Sequence, residues 1–146
     1  MELFEFSKYI AAVYRQSKND AKEELKELDL GSTQSDLMMF IFDHPGLTQK
    51  QLAAHMTLDA SLLAKDIKVL MVKGLVERQV NPRDGRAWVI SVTPAGEAMA
   101  QKLQQTLSRW WGDLFQQNPE IDNHLFGQQL KLVRQALEER QIEEKK

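Results

Sequence analysis

The stretch Thr48–Gly96, TQKQLAAHMTLDASLLAKDIKVLMVKGLVERQVNPRDGRAWVISVTPAG, decides the fold. Thr48-Gln-Lys-Gln51 has the form of a capping box, in which the threonine hydroxyl and the glutamine side chain each satisfy the other's backbone N–H. It predicts a short helix to about Met56. Asp59 is placed to cap a second helix that runs to Lys73, with Leu63, Ile67 and Leu70 as its inward stripe. Gly74 stands where a left-handed residue ends a helix. Leu75–Val80 and Ala87–Thr93 then alternate as strands, around Asn81-Pro-Arg-Asp-Gly-Arg86, a turn by composition. Thr93-Pro94 pairs an N-cap with a proline at the first helical position, where its missing N–H costs nothing.

Outward from this stretch the pattern is helical. Phe6, Ile10, Val13, Ser17, Ala21, Leu25 and Leu28 recur at helical spacing and predict one long helix over Leu3–Leu28. A second helix is expected over Thr33–Asp43, with Thr33 and Asp36 as its capping pair and a deeply buried apolar run, broken by Pro45-Gly46. The helix opened by Thr93 is expected to reach about Gln117, with Met99, Leu103, Leu107, Trp110 and Leu114 in one stripe. Asn118-Pro119 is expected to open a last helix ending near Arg140. The fold class that follows is mainly α with a small β-hairpin wing. It is a winged helix-turn-helix at 33–93, flanked by helices at 1–30 and 94–146 within a single domain, 1–146.

Composition bounds the function. At 146 residues one domain with a sizeable core is expected. The chain has no cysteine, which removes disulfides, thiolate metal sites and cysteine nucleophiles. His44, His55 and His124 lack metal-ligand spacing, so no metal and no cofactor are expected. The longest apolar run, Leu37–Phe42, is far short of the roughly 20 residues a membrane helix needs. With no basic, apolar leader at the N-terminus, a cytoplasmic location is expected. Net charge is −2, unevenly spread: residues 48–93 are net +3, whereas 1–47 are net −4 and 94–146 net −1. A chain that repels DNA except through one face has this distribution. In a winged helix-turn-helix the second helix enters the major groove, and an arginine at the wing reaches toward the adjacent minor groove.

The same residues resemble the multiple antibiotic resistance regulator (MarR) family of bacterial transcription factors. The matching elements are Leu52-Ala53, Leu58-Asp59-x-Ser61, Leu70-x-x-Lys73-Gly74-Leu75-Val76-x-Arg78, Asn81-Pro82-x-Asp84-x-Arg86-Ala87 and Thr93-x-x-Gly96. They occur in order and without a gap over about a third of the chain. The resemblance implies a homodimer whose terminal helices interlock, double-stranded DNA with a pseudo-palindromic operator as partner, and in many members release by a small effector. A two-fold dimer presents its recognition helices about 34–36 Å apart, one turn of the duplex.

Individual residues carry expectations. Arg86 is expected in the minor groove, where the narrow groove concentrates negative potential. The family pattern has Asp84 hold its guanidinium, and Arg83 is a candidate phosphate contact. On the second motif helix Ser61, Leu62, Ala64, Lys65 and Lys68 lie off the inward stripe and are the candidate groove contacts. Lys65 stands where relatives often have arginine, and lysine lacks the bidentate fork that selects guanine. The other reading of Lys65 and Lys68 is a solvated helix face, and of Asp84 and Arg86 a surface ion pair. Tyr14, Met38, Phe42, His44, Trp110 and Trp111 would suit an effector pocket for a small aromatic or lipophilic molecule; the other reading is plain core and dimer packing, with His44 a turn residue. No enzyme is expected, since no nucleophile–base pair or phosphate loop is present. The alternative in another class is a winged helix that binds protein rather than DNA.

Overall fold

Short-range capping frames the central region, as seen in a computed structural model describing residues 1–81, 83 and 85–144. Ten elements follow in order: α1 (Phe4–Asp20), α2 (Lys22–Glu27), α3 (Ser32–Asp43), β1 (Leu47–Thr48), α4 (Gln49–Met56), α5 (Ala60–Val72), β2 (Val76–Val80), β3 (Trp88–Val92), α6 (Pro94–Gln117) and α7 (Asn123–Glu144). At α4 the Thr48 hydroxyl accepts from the Gln51 N–H (3.2 Å) and the Gln51 side chain accepts from the Thr48 N–H (2.9 Å). At α5 Asp59 Oδ1 accepts from the N–H groups of Ser61 (2.8 Å) and Leu62 (3.1 Å). At α6 the Thr93 hydroxyl accepts from the Gly96 N–H (3.0 Å) and donates to the Gly74 carbonyl (2.6 Å). Gly74 closes α5 with φ +73°, a conformation that penalises a Cβ.

The chain divides into two units, Met1–Ser108 and Arg109–Lys146. In the first, a three-stranded antiparallel sheet has the order β1-β3-β2. β2 and β3 form the expected hairpin, in register Val76↔Val92 through Val80↔Trp88. The third strand, β1, was not expected; it is two residues long and pairs Leu47 with Ile90 and Thr48 with Val89. The core is built from Leu37, Met38 and Ile41 of α3, Leu52 of α4, and Leu63, Ile67 and Leu70 of α5. Leu75, Val76, Ile90 and Leu103 join them. The inward stripe predicted for α5 is therefore the stripe that is buried. Gly96 packs so closely that a Cβ there would lie 1.9 Å from the Leu75 carbonyl oxygen.

Three local expectations are corrected. The long first helix is interrupted at Ala21, where α1 ends and α2 begins. Ala21 is buried with Leu25 and Leu30, and the offset carries both Ser17 and Leu25 inward. α3 is not capped by Thr33 and Asp36; its N-cap is Gly31, whose N–H donates to Gln34 Oε1 (3.1 Å). Asp36 instead pairs with Lys18 and accepts from the Tyr14 hydroxyl, tying α3 to α1. Asn118 does not open the last helix. Its side-chain amide donates to the Leu114 carbonyl (2.8 Å) at the end of α6, and Asp122 Oδ1 accepts from the Leu125 N–H (3.0 Å) at the start of α7.

In the second unit the rings of Trp110, Trp111, Phe115 and Phe126 cluster, with Trp110 and Trp111 edge to face at 5.0 Å. Along α7, Leu125, Phe126, Leu130, Val133 and Leu137 are all exposed, as are Phe6, Ile10 and Val13 on α1. Apolar faces of this length are the kind a partner covers.

Candidate nucleic-acid interface

α5 has two unlike faces. One holds Leu63, Ile67 and Leu70, each at most 1% exposed. The other presents Ser61, Leu62, Ala64, Lys65 and Lys68, all exposed. The helix geometry forces this split, because residues three and four apart share a face. Among the described residues neither Lys65 nor Lys68 pairs with an acid. Lys73 differs: its Nζ lies 3.3 Å from the Asp29 carboxylate, so it serves the end of the helix rather than its outer face. Ser61 sits in the first turn beside the N–H groups capped by Asp59, where the helix dipole favours a negative group.

The wing supplies the second set of cations. Arg83 and Arg86 are exposed at its turn, and Arg78 is exposed on β2. The Asn81 N–H donates to the Ala87 carbonyl (2.9 Å), and Asn81 Oδ1 accepts from the Arg83 N–H (3.0 Å), so asparagine shapes the turn. Asp84 lies outside the described residues, and with it the expected pairing to Arg86. The sequence reading passed over Val80 and Trp88, which oppose each other in the ladder and are 54% and 56% exposed. They sit at the distal end of the hairpin, past the point where the core covers that face.

The six residues expected around an effector belong to both units, and each is described within its own. In the first unit Met38 is wholly buried, and Phe42 is half-buried. The His44 ring stacks on Phe40 at 4.1 Å, with Nδ1 3.0 Å from the Phe40 carbonyl. Tyr14 bonds to Asp36; burial first, then that hydrogen bond and the carboxylate charge, push its phenol up to about 12. Trp110 and Trp111 belong to the second unit. A small cavity of about 10 Å³ in the first unit is lined by Lys18, Leu25, Ser35, Met39 and Leu103 among others, and by none of the six. It holds about one water, far below the ≈ 300 Å³ at which ligand pockets begin. Among the described residues no three His, Asp or Glu side chains are grouped to hold a metal. No helix among them is long and apolar enough to cross a membrane.

This geometry can now be set beside known proteins. A family model described as MarR family matches residues 28–87, which takes in α3, the helix-turn-helix and the turn of the wing. A crystal structure of MarR superposes with a TM-score of 0.80 at 25% identity, covering 96% of this chain and 94% of that one. The chain is similar in sequence over residues 28–87, and in fold over most of its length, to proteins of the MarR family. A protein described as a transcriptional regulatory protein for the hcr operon of Thauera aromatica is 33% identical over 73 residues, 50% of this chain and 44% of that one. The chain spans less than two thirds of the first curated relatives it matches, 44% and 62% of their lengths. The crystal structure of the Staphylococcus aureus MepR–DNA complex shares the fold, with a TM-score of 0.68 at 18% identity over 92% of this chain and 97% of that one. The winged helix is thus a fold shared with MarR and MepR, with exposed cations on its second motif helix and its wing.

Proposed function

We propose that the protein is a cytoplasmic transcriptional regulator, a repressor, that binds a pseudo-palindromic operator as a homodimer and is released by a small aromatic or lipophilic effector. The observation that carries this reading is the two-faced α5. Its inner stripe is locked in the core, so Ser61, Leu62, Ala64, Lys65 and Lys68 are held outward on a rigid helix, beside a wing that exposes Arg83 and Arg86. Relatives named as transcriptional regulators, and a neighbour solved on DNA, support the same reading. The exposed apolar faces of α1 and α7 favour a second copy of the chain as the partner that covers them. In this scheme the effector shifts the population toward a protomer arrangement whose helix spacing no longer fits the duplex.

Hydroxyl-radical footprinting on duplexes selected by the protein from a random pool tests the proposal. Two protected half-sites about one helical turn apart, lost together in Arg86→Ala, are expected. A single protected patch, or selection that yields no common sequence, contradicts it.

A further inference from the structure

The hairpin holds an apolar pair that the core does not need. Val80 and Trp88 are directly opposite in the β2–β3 ladder and so share one face of the sheet. Two and four residues further along each strand the same face passes Arg78↔Ile90 and then Val76↔Val92. Ile90 and Val76 on that face are 1% and 2% exposed, while Val80 and Trp88 at its outer end are 54% and 56% exposed. The face therefore runs from buried core to open solvent within one hairpin. A tryptophan left half in water is costly in apolar surface, and it stands two residues from Arg86, at the start of β3 where the turn ends. Cations surround the pair. Arg78 precedes Val80 by two residues, and Arg83 and Arg86 lie in the turn between Val80 and Trp88; all three are exposed. Net charge over 78–88 is +2, so an anionic partner with apolar surface between its charges complements this patch, whereas a plain apolar protein surface would strand three arginines.

We infer that Trp88, backed by Val80, is a DNA-contacting residue of the wing that packs on the deoxyribose edge of the operator minor groove beside Arg86, giving binding a component that salt does not screen. The inference rests on the proposed function. Deoxyribose edges are the apolar part of the groove wall, and minor-groove readers combine arginines with apolar side chains that contact the duplex. Phosphate contacts release counterions and set the slope of log affinity against log salt; an apolar contact leaves that slope alone.

The test uses the whole protein labelled with 5-fluorotryptophan and a fluorescein-labelled duplex chosen by selection. The ¹⁹F resonance of Trp88 is assigned by its loss in Trp88→Phe. DNA binding is followed on the same samples by anisotropy. On saturation with duplex the Trp88 resonance is expected to move and to lose its H₂O/D₂O isotope shift. Trp88→Ala is expected to weaken binding about tenfold with an unchanged salt slope, and Trp88→Phe to restore most of it. Duplex binding of wild-type strength in Trp88→Ala, or a Trp88 resonance that keeps its solvent isotope shift in the saturated complex, overturns this inference and leaves the regulator reading standing. Failure of the wild-type protein to bind any selected duplex overturns both.

Discussion

At Arg86 the proposal is most exposed to test. A guanidinium in a narrow minor groove gains from a concentrated negative potential, so Arg86→Ala is expected to weaken operator binding by at least about 1 kcal/mol. Circular dichroism of the variant should match the parent, because Arg86 is an exposed side chain at the turn of the wing. Lys65→Ala should instead lower affinity for all duplexes and flatten the salt slope by about one. Gly96 has the opposite character, structural rather than functional. An added methyl would meet the Leu75 carbonyl oxygen at 1.9 Å, backbone that cannot swing aside. Gly96→Ala is expected to destabilise the fold by about 1–3 kcal/mol, read as a lower urea midpoint. The sequence shows both residues, but not both reasons. Arg86 is legible because it lies in a motif. Gly96 also lies in a motif, Thr93-x-x-Gly96, but the reason it must be glycine is a carbonyl 21 positions earlier in the chain, which the motif does not show.

At the scale of elements, caps decide what sequence can predict. Thr48, Asp59 and Thr93 were legible because each stands directly before a periodic stretch, Thr48 with Gln51 in a capping box and Thr93 with Pro94 after it. Ser32, Thr33, Gln34, Ser35 and Asp36 are all polar, so the start of α3 was ambiguous, and long-range partners settled it: Lys18 and Tyr14 claim Asp36. β1 was invisible because two residues leave no alternation to detect, and its partner strand lies some 40 residues on. The break at Ala21 lacks glycine or proline and follows from packing. Asp59→Ala should cost about 1 kcal/mol of stability by removing the α5 cap, measured by chemical denaturation. The Tyr14–Asp36 link predicts a pH effect. Folding raises the Tyr14 phenol from 10.0 to about 12, so the fold favours the protonated form. That contribution is whole below pH 10 and is lost as pH rises from about 10 to 12. Tyr14→Phe should flatten the alkaline limb of stability in that window, and ultraviolet titration should lose its most alkaline phenol.

For the whole molecule, the two-faced α5 and the β2–β3 hairpin make a winged helix whose order of motifs was legible in the sequence, while β1 was not. What sequence could not place was the effector. Tyr14, Met38, Phe42 and His44 are of types that suit a ligand pocket, yet Met38 is sealed in the core and His44 is stacked on Phe40. Composition names residue types suited to a pocket, whereas a pocket is a space left by packing. The exposed apolar runs of α1 and α7 are likewise legible only as surfaces wanting a partner, and sedimentation equilibrium is expected to give a dimer throughout the micromolar range. The account stands or falls on selective DNA recognition by that dimer. Its most direct test is fluorescence anisotropy with the DNA upstream of the protein's own gene against a scrambled duplex, across a salt series. Tight binding to the first alone, with log affinity falling steeply as log salt rises, is the predicted result. Equal, weak binding to both duplexes would contradict it and point to a winged helix that docks on protein.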